Sequence, residues 1–266
     1  MLATRQSGAP RPNPRVKRRD RRGPKQTNRQ WLAEALPGAD LAGWTLLIGS
    51  ATVADFRLRI AQSHARQDLL PSFWSHAAII RRRAGRNDWE LREVSLDPLA
   101  GFGFAPRRNG VQNGKLSRYD DPVRCPNIAV LHFPVKEEAY QPEFKSFSAK
   151  LDKAVGTFET QRSLLDTGSL ILEWLGFVWG AAEKGNPLLK GTGIPAAAFV
   201  ESAFAIAGLE LTPGLSSQSS CPEAIWQSAR WWHGFYTSET PITSEAPEGA
   251  YCISQPAAAA EPWVRL

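Results

Sequence analysis

Apolar and polar positions in the first half of the chain alternate in a way that predicts strands with one helix between them. The run Gly43–Gly49 is apolar between two glycines, which is typical of a buried strand. Residues 53–68 follow the helical period approximately and predict a helix. Two more strands are predicted over 76–83 and 88–95, because the residues between them, 84–88, have the Gly and Asn chemistry of a hairpin turn.

The second half predicts one more strand and then mostly helices. The strand is a buried apolar run over 127–133. The predicted helices cover 137–156, 161–182, 196–208 and 222–230. The helix over 161–182 is strongly apolar, but its apolar run is short of the roughly 18–20 residues that a membrane span needs. It is therefore expected to be a core helix or an apolar cover beside a site.

Weaker signals complete the predicted organisation. Asn28 is placed to cap a short helix over 29–36, and the pairs Asn109-Gly110 and Asn113-Gly114 predict turns. The residues after about 236 show few helix signals. The predicted organisation is a tail at 1–28, a single domain at 29–235 and a C-terminal extension at 236–266.

The positive charge of the chain is concentrated in its N-terminal tail. The 266 residues carry a net charge of +6. Residues 1–29 contain ten Arg or Lys against one acid, Asp20, and so carry +9, while 22 basic and 25 acidic side chains in the rest carry −3. Such a segment, rich in Pro and Gly, is expected to be disordered. It would suit binding to nucleic acid or to an anionic membrane, docking onto a carrier protein, or a linker role.

The three cysteines are too few and too scattered to predict a disulfide framework or a zinc site. The basic N-terminus also lacks the apolar segment of a secretory signal. The expected location is the cytoplasm of the producing cell, and any action outside that cell would need a secretion system that does not depend on a signal peptide.

The candidate chemistry centres on His76, which opens an apolar strand. Glu93 lies on the next predicted strand, where a carboxylate can hold and orient an imidazole. Strand alternation places Glu90 on the face opposite Glu93, and Glu90 remains the alternative carboxylate. The other histidines are expected to be solvated or packing residues, with His233 also considered for a pocket wall: His64, His132 and His233.

The order of these elements resembles the circularly permuted branch of the NlpC-type, papain-like cysteine hydrolases, which is related to the lecithin:retinol acyltransferase-like group. The likeness covers about residues 40–235. It is carried by Trp-Ser-His-Ala-Ala-Ile-Ile at 74–80, Leu-Ser-Arg-Tyr at 116–119 and the small-residue helix start in 195–208. The resemblance implies an α+β fold, in which an antiparallel sheet packs on the helix that bears the nucleophile and further helices are added.

The resemblance also implies a nucleophilic Cys at the start of that helix, and this chain has Ala196 there. The family pattern is Cys-Ser-x-Phe/Leu-Val, which aligns through Phe199 and Val200. A thiol at this position would be activated by the helix N-terminus and by His76, with Glu93 as the orienting group. That chemistry needs no metal or organic cofactor.

The alanine has two explanations within the resemblance. It is either a deliberate Cys-to-Ala replacement, which would trap substrate or permit expression of a toxic enzyme, or the mark of a natural pseudoenzyme that binds without cleaving. The presence of both His76 and Glu93 favours the first.

A third explanation is that the nucleophile is Cys221. It precedes a helix with Pro222 in its first turn, so a thiolate would be stabilised there too. In the family, however, a Pro-led helix follows the nucleophile helix, and residues 222–225 match it. Cys125 and Cys252 are expected to be structural.

The expected function is that of a thiol hydrolase in a nucleophile-deleted form: an amidase, peptidase, acyl-ester hydrolase or acyltransferase. It would act as a monomer on a peptide, isopeptide or acyl substrate. The basic tail and the missing signal fit a secreted antibacterial or host-directed effector, with an immunity or carrier protein as its partner. The competing class is a binding module without catalysis, whose tail binds nucleic acid or an anionic membrane.

Overall fold

The strands and helices of the chain define a mixed α+β fold. The computed structural model describes residues 16–21, 23, 25–85, 88–97, 108–135, 146–163, 165–180, 185–238 and 246–254. Over these ranges the strands are β1 (Lys17–Arg18), β2 (Thr45–Gly49), β3 (His76–Gly85), β4 (Asp88–Glu93), β5 (Gln112–Lys115), β6 (Asn127–His132) and β7 (Glu248–Ile253). The α-helices are α1 (Asn28–Ala35), α2 (Val53–Ala61), α3 (Phe147–Thr160), α4 (Thr167–Val178), α5 (Pro195–Ile206) and α6 (Pro222–Ser238).

All seven strands belong to one sheet. Their order is β1-β7-β6-β2-β3-β4-β5, and neighbouring strands are antiparallel except for the short parallel pair of β1 with β7. The central strand β2 is buried at all five positions, which explains its continuous apolar run. The predicted α+β class is confirmed.

Strand alternation divides the core into two apolar layers. On one face of β3, Ala77 and Ile79 share a cluster with the buried residues of α3, α4 and α5. On the other face, Ala78 and Ile80 share a cluster with α1. His76 has the parity of Ala78, so it starts on the α1 face, but it is the first residue of β3 and lies at the end of the sheet.

The N-terminal segment is ordered further toward its start than the sequence predicted. The predicted disorder of 1–28 does not hold for β1, which pairs with β7. Arg21 fixes this segment to the residues next to β6 and β7, because its guanidinium donates to Pro126 O at 2.7 Å and to Ser254 Oγ at 2.5 Å. Residues 1–15, which contain three of the basic side chains, lie outside the described residues.

The predicted cap of the first helix is wrong. Thr27 is the N-cap of α1 and forms a reciprocal capping box with Gln30. Asn28 is instead fully buried, and its side chain donates to the carbonyls of Tyr119, at 2.6 Å, and Cys125, at 2.9 Å. It therefore ties α1 to the loops beside the candidate site.

The C-terminal extension contributes to the domain. The prediction placed 236–266 outside the domain, but β7 lies inside the sheet between β6 and β1. The predicted turn at Asn113-Gly114 is also wrong, because both residues belong to β5 and pair with β4. The turn at Asn109-Gly110 is present, with both residues at positive φ.

Helix bounds differ from the prediction mainly at their ends. Helix α2 stops at Ala61, where the Gln62 side chain donates to the Leu58 and Trp74 carbonyls, and a short 3-10 turn follows. Helix α3 begins at Phe147, with Ser146 as its cap, while 136–145 lie outside the described residues. Helix α6 runs on to Ser238.

Candidate active site

A buried imidazole–carboxylate pair lies at the end of the sheet. His76 at the start of β3 and Glu93 at the end of the neighbouring β4 are joined by a 2.8 Å contact between Nε2 and Oε2. The Glu93 carboxylate accepts here, so Nε2 is the donor, and in the neutral form of the ring the lone pair is then on Nδ1. Among the described residues Nδ1 has no hydrogen-bond partner. The ring is therefore arranged as a base held by a carboxylate.

Three neighbours hold the Glu93 carboxylate, which is fully buried. Besides the His76 ring, the Tyr119 hydroxyl donates to Oε2 at 2.6 Å, and Arg118 Nη1 lies 3.6 Å from Oε1. Burial by itself would raise the pKa of Glu93, but the hydrogen bond and charge of His76, the Tyr119 hydroxyl and the charge of Arg118 leave that pKa below its ordinary value. Glu93 is thus an anion inside the protein.

Tyr119 acts as a donor throughout the accessible pH range. Burial and the negative charge of Glu93 raise the pKa of its phenol well above the ordinary value. Its ring also lies against the His76 ring, with centroids 5.5 Å apart. Arg118 in turn forms an ion pair with Asp97 at 3.0 Å, which fixes its position between two carboxylates.

Gly114 makes room for this carboxylate. A Cβ built on Gly114 would lie 2.1 Å from Glu93 Oε1. The glycine stands opposite Leu91 in the pairing of β5 with β4, two residues beyond Gln112, which stands opposite Glu93. The Asn-Gly sequence that resembled a turn signal is therefore explained by the space that Glu93 needs.

A cavity of about 580 Å³ opens beside His76 at this end of the sheet. Its wall contains residues of both apolar layers, for example Ile48 from the α1 face and Leu58 from the helical face. The wall also contains the N-terminus of α5, namely Ile194, Pro195 and Ala196. The structure thus brings Ala196 and His76, which are 120 positions apart in the sequence, to one cavity.

The start of α5 is fixed by hydrogen bonds with α4 and with the segment 218–220. Trp174 on α4 donates from its indole N–H to Gly193 O at 2.7 Å, and the Gly193 and Ile194 amides donate to the carbonyls of Gln218 and Ser220. Gly193 packs so closely that a Cβ would meet Gln218 O at 2.7 Å. These contacts hold the first turn of α5 in the cavity wall.

The thiols of the chain are buried in other environments. Cys221 precedes α6 and is 3% exposed; burial raises its pKa to about 12, and it is not among the residues that line the His76 cavity. Cys125 does line that cavity, but burial raises its pKa to about 12 as well. Cys252 is buried in β7. The environments of Cys221 and Cys125 therefore do not favour a thiolate.

The remaining sequence candidates lie away from the dyad. Glu90 pairs with Arg82 at 2.6 Å on the surface side of β4. His64 is exposed, His132 contacts Glu248 at 3.2 Å, and the His233 ring contacts Pro247 O at 2.9 Å. No one of these histidines is among the described residues of the cavity wall.

Sequence reasoning missed Tyr119 and Arg118 as members of the site. Both lie on a 3-10 turn, Leu116–Tyr119, directly after β5. The sequence Leu-Ser-Arg-Tyr carries part of the family resemblance, but the resemblance implies no role for these two residues. The sequence signal that could have identified them is their position: two polar residues directly after a strand, at the same end of the sheet as Glu93.

No protein-family model matches this chain, and no curated protein does. Within the described residues, no helix combines the length and apolar character that crossing a membrane requires. Those residues also contain no group of three or more His, Cys, Asp or Glu side chains placed to hold a metal ion.

Proposed function

We propose that the chain has the core of a permuted papain-like thiol hydrolase, with Ala196 at the position of the nucleophile. The observation that carries the proposal is that His76, which is bonded to Glu93, and the N-terminus of α5 line one cavity. A base with a free ring nitrogen and a helix N-terminus are the two groups that activate a thiol. In its present form the chain would bind substrate without cleaving it.

The proposed chemistry is acyl transfer through a thioester. With Cys at position 196, His76 Nδ1 would take the thiol proton, and the sulfur would attack the carbonyl carbon of an amide or ester. The carbonyl oxygen would become an oxyanion near the free amides of α5, and His76 would return the proton to the leaving nitrogen or oxygen. Water or an acceptor alcohol or amine, deprotonated by His76, would then release the acyl group. Glu93 would hold the ring and stabilise its protonated form.

The test restores a thiol at position 196 and first measures its reactivity, which requires no knowledge of the substrate. In Ala196→Cys, we expect iodoacetamide to alkylate the new thiol rapidly near neutral pH, because His76 and the helix N-terminus favour the thiolate. Ser202→Cys is the matched control, since it places a thiol in the same helix two turns from its start. Mass spectrometry of the alkylated peptides distinguishes these thiols from the three buried cysteines.

Activity is the second readout. Ala196→Cys should hydrolyse members of an amide, ester and thioester panel, while the parent chain and Ser202→Cys should not. Adding His76→Ala should lower the rate by about 10²- to 10⁴-fold. A new thiol at 196 that reacts no faster than the one at 202, together with no hydrolysis, would exclude the thiol hydrolase.

The second candidate function is a binding module, and Ala196 itself is the observation that favours it. Its basic tail would contribute binding to nucleic acid or to an anionic membrane. Deletion of residues 1–15 tests this part, because it spares β1 and Arg21. Affinity for DNA or anionic vesicles that falls with salt and is lost in the deletion would support the tail as the binding element.

A further inference from the structure

The second half of α6 exposes large apolar side chains on its outer face, where a helix packed on a sheet normally carries polar residues. The inner face of this helix belongs to the core through Ile225, Trp226 and Ala229. On the outer face Trp231 is 60% exposed and Phe235 is 43% exposed, and their rings stack with centroids 5.4 Å apart. A group of exposed apolar side chains indicates an interaction surface.

A loop beside α6 exposes two more apolar side chains. Leu69 is 69% exposed and Leu70 is 46% exposed. They directly follow the segment 66–68, which lines a cleft of about 350 Å³ together with Arg230 and Trp231 of α6. The loop that carries the two leucines is therefore a neighbour of the outer face of α6.

The backbone keeps Leu69 exposed in a strained conformation. Its φ is 55°, and a bulky side chain is rare in this left-handed region, which Asn or Gly adopts more readily. The loop is nevertheless fixed, because Arg66 Nε donates to Asp68 at 2.8 Å and the Ser72 hydroxyl donates to the buried Glu223 of α6 at 2.6 Å. A strained residue that holds an apolar side chain in solvent indicates a function for that side chain.

The charge beside these apolar side chains is positive. Arg230 is exposed, and its guanidinium lies 5.9 Å from the centroid of the Trp226 ring. Asp68, the one acidic side chain in the described wall of the cleft, is already paired with Arg66. Residues 1–18 add five basic side chains and no acidic one.

This basic segment joins the fold next to α6. In the parallel pair of β1 with β7, Arg18 stands opposite Tyr251, and the Tyr251 ring contacts Trp226 of α6 with centroids 4.9 Å apart. Near the start of β7, the His233 ring of α6 contacts Pro247 O at 2.9 Å. The second half of α6 therefore lies along the end of β7 from which the parallel strand β1 also begins.

We propose that an exposed apolar surface, formed by Leu69, Leu70, Trp231 and Phe235, docks onto an anionic lipid bilayer. The four side chains would enter the interface between the headgroups and the acyl chains, where Trp and Leu side chains are favourable. Arg230 and the basic segment would lie against the lipid phosphates and be attracted by the negative surface potential.

Two other occupants fit this surface less well. Bases of a nucleic acid stack on open aromatic faces, but the Trp231 ring is partly covered by Phe235, and leucine offers no stacking face. A second copy of the chain would bring its own basic side chains to those of the first, because a two-fold interface joins the same patch of both copies. The surface does not share a described residue with the wall of the His76 cavity, so the proposal does not depend on the thiol hydrolase.

Flotation of the full chain with lipid vesicles tests the proposal. We expect binding to phosphatidylcholine vesicles that contain about one third phosphatidylserine, and at least about tenfold weaker binding to phosphatidylcholine alone. Leu69→Asn combined with Leu70→Ser should weaken the binding about tenfold or more, because both apolar contacts with the bilayer are lost. The same variant should not lower the thermal stability, since Asn tolerates positive φ. Arg230→Gln should weaken the binding about fivefold.

The matched control replaces two equally exposed leucines outside the surface. Leu172 is 70% exposed and Leu189 is 68% exposed, and Leu172→Ser combined with Leu189→Ser should bind the vesicles like the parent chain. Equal weakening by this control and by the loop variant would overturn the inference, because general surface hydrophobicity would then explain the binding.

Three further outcomes would overturn the inference. The first is a parent chain that does not float with the anionic vesicles. The second is binding that deletion of residues 1–15 abolishes but that Trp231→Ser and the loop variant leave unchanged, since the tail alone would then bind the membrane. The third is a different occupant: a dimer in sedimentation velocity, or a complex with a single-stranded oligonucleotide, that Trp231→Ser dissociates while vesicle binding persists.

Discussion

Two buried glutamates of this protein differ in charge although both are inside and both accept hydrogen bonds. Glu93 faces His76, Tyr119 and Arg118, and its pKa lies below the ordinary value. Glu201 on α5 accepts from the hydroxyls of Thr212, at 2.7 Å, and Ser220, at 3.4 Å, and burial raises its pKa to about 7. Neutral donors do not compensate for the lost hydration of a carboxylate, whereas positively charged neighbours do. Burial alone therefore does not identify a carboxylate that stays ionised; the charge of its hydrogen-bond and ion-pair partners does.

The largest expected difference in stability is between the two glutamine variants, Glu93→Gln and Glu201→Gln. Glu93→Gln removes an anion that holds His76 and Arg118, and it should lower the free energy of unfolding by about 3 kcal/mol at pH 7. Glu201→Gln, measured below pH 5 where Glu201 is neutral, should change it by less than about 1 kcal/mol, because a neutral group replaces a neutral one. Urea unfolding measures both, and equal losses would contradict the comparison.

The pH dependence of stability should have opposite signs at the two sites. The pKa of Glu201 is raised in the folded state, so its contribution is complete below pH 4.5 and is lost as the pH rises toward 7, on the order of 3 kcal/mol in all. The pKa of Glu93 is lowered, so its contribution is present above pH 4.5 and is lost as the pH falls. The free energy of unfolding, measured from pH 3 to 8, should no longer fall toward pH 7 in Glu201→Gln. In Glu93→Gln it should no longer fall toward low pH.

Removing one hydroxyl from each site sharpens the comparison. Tyr119→Phe deletes a donor to an anion and should cost about 2 kcal/mol at pH 7, while Thr212→Val deletes a donor to Glu201 and should cost about 1 kcal/mol at pH 5. Thermal unfolding at the two pH values measures the difference. A larger cost for Thr212→Val would mean that Glu201, rather than Glu93, carries the buried charge.

The smallest expected effect is steric. Gly114→Ala should push the Glu93 carboxylate away from His76 and cost about 1–2 kcal/mol. Gly85→Ala in β3 is the control, since a Cβ there meets no atom within 4 Å. In the Ala196→Cys background the first substitution should also slow thiol alkylation, which a purely structural role of Gly114 would leave unchanged. Equal stability of the two alanine variants would show that the carboxylate moves freely.

The sequence allowed prediction of the strands and helices that follow local patterns, including β2, β3, β4 and β6. It also allowed prediction of His76 and Glu93 as neighbours, because alternation along two adjacent strands sets their faces. Strand β7 was missed because its stability depends on pairing with β6, which lies more than a hundred residues earlier in the chain. Such pairing leaves little trace in a short window.

The rest of the site depends on approach in three dimensions. Tyr119 reaches Glu93 through a turn after β5, and Gly114 has the same sequence signature as a turn residue although it lies in a strand. The register of β4 with β5 decides both contacts, and composition does not reveal it. The common cavity of Ala196 and His76 likewise follows from the packing of α5 on the sheet.

The pairing of β1 with β7 has a consequence for biosynthesis. Lys17 pairs with Ala250, so one of the first described residues to be synthesised must wait for the last described strand before it can find its partner. Until then β6 presents an open edge that can pair with another chain. A chain that ends before residue 248 would therefore contain every residue of the candidate site. Its sheet would nevertheless keep the open edge of β6 and be prone to aggregation.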